Sequence, residues 1–299
     1  SFKLAVEDFV AGTPFEGLSG VINVKMSGSA PKDDVITILD VNCDALRVGN
    51  LPVGTVKGTW RRSKVTTQSR LQLTIEGLLG SAQLVLEGDL DLDLVSKTIT
   101  LRPGPIRGAM TLRLADITGI TNHWGKALSG AVTLDLSISG MAEAPELSAR
   151  FRLENTVLNG KKIGEFQLDW VHAKESQIGW RWMQAGRAVI DVKTMLPLDI
   201  DAVARDITLR RQDPLVFEAK VLGLDSALLT PFMRVPRGLE LGLSGDFQAT
   251  GTLDTLTGSG KVEGVAVAGG VSAPIAVWFS TVKQAHQIDA NWGDFLTGQ

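Results

Sequence analysis

Apolar and polar residues alternate along most of this chain. Between Leu128 and Leu153 the alternation is nearly unbroken. Val132, Leu134, Leu136 and Ile138 fall on one side, and Thr133, Asp135, Ser137 and Ser139 on the other. Gly140 ends the run, a short link reaches Pro145, and Leu147, Ala149, Phe151 and Leu153 resume it against Ser148, Arg150, Arg152 and Glu154. A period of two sends successive side chains to opposite faces, the pattern of a strand with one dry and one wet face.

The same period predicts strands at Ile22–Met26, from Ile36, and at Leu71–Ile75. Over residues 82–94, Leu84, Leu86, Leu90, Leu92 and Leu94 share a side against Gln83, Glu87, Asp89, Asp91 and Asp93, with Gly88 marking a bend or bulge. Further strands are expected at Met110–Leu114, Phe166–Trp170, Trp180–Trp182, Ala188–Val192, Leu215–Val221, Leu239–Leu243 continuing to Phe247 and Ala249, Val265–Val267 and Ile275–Phe279. Residues 40–54 are less regular, with Pro52 as an interruption, and 115–127 lack strand periodicity. Asn159-Gly160 is the strongest hairpin signal. The best helix candidate runs from Asp225, as N-cap, to Met233, with Pro236 beyond it.

Leu-Ser-Gly recurs at 18–20, 128–130 and 243–245, each time followed by an alternating run that ends at a glycine: Gly28, Gly140 or Gly251. Repeat units starting near 18, 128 and 243 within one continuous β array over 1–299 are the expected organisation; coincidence in a Leu- and Gly-rich chain is the alternative. The expected fold class is all-β: an elongated, curled antiparallel sheet, a taco-like groove with an apolar inner face of Leu, Val, Ile and Ala and few or no short helices. A closed sandwich would alternate too. An outer-membrane barrel is disfavoured because the chain has no Tyr and its seven Trp do not recur at strand ends.

Length and composition narrow the class. The 299 residues are 44% hydrophobic, with no run of about 18 apolar residues. The chain does not begin with Met and its first twenty residues carry no signal-peptide pattern, so it reads as a piece of a longer protein, with a mature chain as the alternative. Net charge is −3 from 30 basic and 33 acidic residues, with no basic tract that points to nucleic acid. A single cysteine, Cys43, excludes an internal disulfide.

No catalytic constellation stands out, and no enzyme, cofactor or metal is expected. His123, His172 and His286 are isolated and read as turn or surface residues. Asp89, Asp91 and Asp93 mimic the start of a calcium loop, but Leu94 and Thr100 occupy the positions of its glycine and closing glutamate. Gly258-Ser259-Gly260-Lys261 lacks the Ser/Thr and the first glycine of a phosphate loop, which are Val262 and Thr255 here. Arg61-Arg62-Ser63-Lys64 reads as a solvated turn, with contact to a lipid headgroup as the functional alternative.

The succession of Leu-Ser-Gly, alternating strand, glycine, short link, proline and alternating strand, best seen over Leu128–Trp170 and Asp225–Gly270, resembles the TamB/AsmA-like family of Gram-negative envelope proteins. The resemblance implies a middle segment of a bridge-like periplasmic protein anchored in the inner membrane. That segment would be a hydrophobic groove conducting phospholipid acyl chains between the inner and outer membranes. Scaffolding of outer-membrane protein assembly by β-augmentation, with an outer-membrane assembly protein as partner, is the second reading; a closed β-sandwich of a secretion or surface protein is the third. The remaining partner is the rest of the same longer chain. The candidate groove residues, read from the alternation, are Leu84, Leu86, Leu90, Leu92, Leu134, Leu136, Ile138, Phe151, Phe166, Leu168, Leu241 and Leu243.

Overall fold

The computed structural model describes residues 2–5, 18–29, 36–48, 51–77, 80–93, 98–118, 121, 127–282 and 285–291. The protein is all-β, 76% strand and 3% helix, built as a large antiparallel sheet that is not closed into a barrel. It divides into two compact units, Ser1–Phe151 with Ile200–Ile207, and Arg152–Asp199 with Thr208–Gln299.

The first unit contains β1 (Phe2–Ala5), β2 (Leu18–Ser19), β3 (Val21–Ser29), β4 (Ile36–Val48), β5 (Leu51–Ser63), β6 (Ser69–Gly77) and β7 (Gly80–Gly88). A small hairpin follows, β8 (Leu90–Asp93) and β9 (Thr98–Leu101), then β10 (Pro105–Leu114) and β11 (Leu128–Met141). Pairing is a meander from β3 through β7, with β1 beside β3. It then passes over the hairpin, so that β7 pairs with β10 and β10 with β11. The described residues of the irregular stretch 40–54 belong to the end of β4 and the start of β5, with register shifts between Cys43 and Leu46 and again at Arg47 that spoil the alternation. In this unit's pairing, Leu39, Val41 and Cys43 stand on the apolar side of β4, while Ile36 and Ile38 stand opposite.

The clean pattern over 82–94 is two elements. The main sheet ends at Gly88, which is buried, and Leu90 belongs to the separate β8–β9 hairpin, where it faces Leu101. The Ser69 hydroxyl donates to the Leu90 carbonyl at 2.8 Å and holds the hairpin against β6. Leu94 lies outside the described residues.

The strand β12 (Ala144–Leu158) contains the division between units. Along it Leu147, Ala149, Phe151 and Leu153 share a side as expected, but Asn155 takes a left-handed φ of 52° and buried Thr156 replaces residue 155 in the sequence of inward positions.

The second unit contains β13 (Lys161–His172), β14 (Ser176–Gln184), β15 (Arg187–Leu196), β18 (Leu215–Asp225), β19 (Leu239–Gly251), β20 (Thr257–Ala268), β21 (Val271–Val282) and β22 (Ala285–Asn291). They pair antiparallel in that order. The hairpin β16 (Leu198–Asp201) and β17 (Asp206–Leu209) intervenes between β15 and β18. Asn159-Gly160 makes the expected two-residue turn, with φ of 51° and 78°. Ala185-Gly186 (48°, 77°) and Gly269-Gly270 (59°, 80°) repeat it. Two consecutive positive φ values match the right-handed twist of the flanking strands.

The helix candidate is α1 (Ser226–Leu229), one turn long. Asp225 caps it by accepting from the Leu228 backbone N–H at 2.8 Å, and Phe232 and Met233 N–H groups both donate to the Leu229 carbonyl. The three Leu-Ser-Gly tripeptides occupy different settings. Gly20 and Gly130 sit near strand starts with φ of 154° and 146°, whereas Gly245 lies in the middle of β19, paired with Val221 and Val262.

Candidate functional site

Each unit carries an apolar sheet face built from the rows that the register lines up. In the first unit Val41, Gly58, Leu73, Leu84, Met110 and Leu136 lie across one row. Leu39, Trp60, Leu71, Leu86, Gly108 and Ile138 form the next, and Val56, Ile75, Ala82, Leu112 and Leu134 the third. Glycine in such a row leaves room for its large neighbours. A Cβ on Gly58 would strike Leu73, and one on Gly108 would meet Leu86 and Ile138.

Five of the expected groove residues, Leu84, Leu86, Leu134, Leu136 and Ile138, fall on this face and are half-buried. Buried residues cluster in small patches, Val24, Leu39 and Trp60 in one and Cys43 and Leu46 in another, and Ile106 and Val132 are buried towards the ends of β10 and β11. Leu90, only 2% exposed, is a packing residue of the hairpin and does not share the face of Leu84 and Leu86. The Leu92 side chain lies outside the described residues. Phe151 is half-buried on β12. The reverse face is charged and wet, with Arg113 on Asp135 at 3.0 Å and Arg70 on Glu87 at 3.2 Å.

In the second unit the rows are aromatic. Phe166, Trp182, Ile190, Val221, Gly245 and Val262 form one, and Leu168, Trp180, Val192, Ala219, Phe247, Gly260 and Phe279 the next. Phe166 stacks on Trp182 with ring centroids 5.8 Å apart and on Trp180 at 6.2 Å. Phe247 spreads over Gly260, which has no side chain to obstruct it. Leu241 and Leu243 lie on this face opposite Ala266 and Gly264. The expectation for β20 is corrected here: its inward residues are Val262, Gly264 and Ala266, whereas Val265 is 46% exposed on the other side. The expectation of few aromatics is corrected with it, since Phe166, Trp180, Trp182, Phe247 and Phe279 stand among the aliphatic residues of these rows.

α1 covers one end of that face. Leu228 joins Ile163, Trp182 and Val189 in the largest buried cluster, with Leu158, Phe166, Trp180, Ile190 and Leu224 around it. Phe232, just past the helix, meets Trp182 edge-on at 5.6 Å. Lys161 Nζ donates to Thr230 Oγ1 at 2.8 Å, and the Trp182 indole N–H donates to the Ile163 carbonyl.

The charged motifs resolve into structure. Arg62 donates to Asp91 at 2.6 Å and lies 3.5 Å from Asp89, while Arg102 reaches the other Asp91 oxygen at 2.6 Å. The Arg62 hydrogen bond, aided by Arg102, holds the Asp91 carboxyl below the usual carboxylate range. Arg62 therefore fastens the β8–β9 hairpin and is engaged by carboxylates rather than solvated. The turn-or-surface expectation for His172 is corrected: it is the last residue of β13, paired with Ser176, and buried at 4% exposure, with its ring Nδ1 2.9 Å from the Ser176 hydroxyl. Burial lowers its pKa. His123 and the His286 side chain lie outside the described residues. Among the described residues no three His, Cys, Asp or Glu side chains converge as a metal site. Among the described residues no helix is long and apolar enough to cross a membrane.

No protein-family model, curated protein or solved structure matches this chain.

Proposed function

We propose that the two apolar faces shield phospholipid acyl chains, and that the chain is a periplasmic segment of a longer envelope protein passing phospholipid between inner and outer membranes. The observation that supports this is the half-burial of whole aliphatic rows. Leu73, Leu84, Met110 and Leu136 lie side by side across four paired strands, yet none is sealed. A sandwich core of comparable width would bury its central rows, and a contiguous apolar surface of this kind marks a binding site. Each methylene moved from water onto the face gains about 0.8 kcal/mol, so an acyl chain is a well-matched occupant. The mechanism needs no bond chemistry: the face offers continuous dispersion contact, and the charged reverse face keeps the sheet in water.

Lipid extracted from the purified protein under denaturing conditions and quantified by mass spectrometry tests the reading. Stoichiometric phospholipid is expected, and Leu134→Asp with Leu136→Asp should abolish it while circular dichroism stays that of a β protein. Lipid at background in the parent protein, or full retention in the double variant, would discard the proposal. A second reading draws on one feature: a sheet that is not closed leaves edge strands whose backbone groups can accept an incoming strand. Crosslinks from edge strands to an outer-membrane client, with none to lipid, would favour it.

A further inference from the structure

We infer that one end of the second unit docks on an anionic membrane surface. The register places four connections at the same end of this sheet. Asn159-Gly160 leads into β13, Gln184 pairs with Arg187 across the Ala185-Gly186 turn, Asp225 pairs with Gly242 beside α1, and Ala268 pairs with Val271 across Gly269-Gly270. These connections and the residues that flank them carry Lys161, Lys162, Arg187, Arg234 and Arg237, all exposed, against two carboxylates, Glu240 near the start of β19 and Asp225, whose oxygen is committed to capping α1. Among the described residues, none of Lys162, Arg187, Arg234 and Arg237 has a carboxylate within ion-pair distance. At the opposite end the corresponding charges neutralise one another: Arg210 bridges Asp199 at 2.5 Å and Asp213 at 2.6 Å.

Large apolar side chains project among these cations. Phe232 is 52% exposed, Met233 57% and Val271 54%. Phe232 cannot fold away, because its ring is braced on Trp182 and the preceding turn is tied to Lys161 through Thr230. Exposed apolar tips ringed by unpaired cations are matched by a bilayer interface, where the tips enter the headgroup–acyl boundary and the cations meet phosphates. A protein partner would have to supply a broad acidic surface around an apolar pocket. A membrane supplies both everywhere and needs no defined pocket. The inference stands apart from acyl-chain shielding, since it concerns the turns and not the sheet face.

Flotation of the full 299-residue chain with vesicles tests it, comparing phosphatidylcholine alone with phosphatidylcholine containing phosphatidylglycerol. Binding to the anionic vesicles only, weakened by salt, is expected. Arg234→Gln with Arg237→Gln should weaken partitioning by about thirtyfold, roughly fivefold for each cation lost near an anionic surface. Met233→Ser should weaken it further, and Arg211→Gln at the opposite end should leave it unchanged. All four positions are exposed, so these variants keep the fold, which melting curves verify. Absence of binding, equal binding to neutral vesicles, or binding that survives loss of both arginines would overturn the assignment. So would capture by immobilised polyglutamate without vesicle binding, which identifies an acidic protein surface instead. Lipid extracted from the purified protein is unaffected by these variants, so the two proposals fail separately.

Discussion

The two units spend the same alternation differently. In the first, the apolar face is aliphatic apart from the buried Trp60, and the row Leu73, Leu84, Met110 and Leu136 stays half-buried along its full run. In the second, Phe166, Trp180, Trp182, Phe247 and Phe279 make the face, and α1 closes one end of it with Leu228 and the neighbouring Phe232. An aliphatic surface presents no preferred orientation to an apolar guest. An aromatic surface offers fixed ring planes and, here, an end stop. On the proposed acyl-chain reading, one face would suit sliding and the other seating, although both follow from the same period of two.

The strongest way to break this contrast is to remove the stop. Leu228→Ala should cost about 2–5 kcal/mol, the range for deleting a buried leucine, and hydrogen exchange followed strand by strand should show the loss in β13, β14 and β15. Equal loss of protection in β6 and β7 would mean that α1 supports more than its own unit. A smaller effect sharpens the picture of the aromatic face. Gly260→Val would push a side chain into the Phe247 ring and should destabilise by about 1–3 kcal/mol, as overpacking does. Urea unfolding read by tryptophan fluorescence measures it, and an unchanged midpoint would show that Phe247 has free space to move into.

The smallest effect is on pH dependence. His172 is buried with a lowered pKa, so the unfolded chain takes up a proton more readily than the folded one. This histidine then costs nothing well above pH 6.5 and erodes stability as pH falls through the unfolded value towards the folded one. His172→Gln should flatten that part of the stability–pH profile. If the slope persists, another group carries it.

Strand existence was legible because alternation is a direct image of a sheet with two unlike faces. The Asp225 cap and the Asn159-Gly160 turn were legible because each rests on local chemistry. Parity was the weak point. The expected alternation on this strand rested on Val265 and Val267. The structure turns Gly258, Gly260 and Gly264 inward, because Ala249, Phe247 and Leu243 on β19 already fill that space. The run from Leu84 to Leu94 misled for a related reason. A chain that leaves the sheet at Asp89 and re-enters a hairpin at Leu90 keeps its alternation, so no break shows in the pattern. Gly88 and the Arg62 ion pairs were the available signals, and only the first is local. Among the candidate groove residues, those on the main strands were readable from periodicity. The role of Leu90 depended on Ser69, 21 residues away, and periodicity carries no information over that distance.

The meander has a kinetic consequence. Nearly every strand pairs with the one made just before it, across turns as short as two residues at Asn159-Gly160, Ala185-Gly186 and Gly269-Gly270. Contacts between sequence neighbours cost little loop-closure entropy, and such topologies fold quickly for their size. Each new hairpin can add to the growing edge as soon as its two strands emerge, without waiting for the C-terminus. A chain of this kind can therefore acquire structure progressively while it is threaded through a narrow channel. The β7–β10 and β15–β18 pairings must each wait for an intervening hairpin to form first, and β1–β3 and β2–β4 likewise skip a strand.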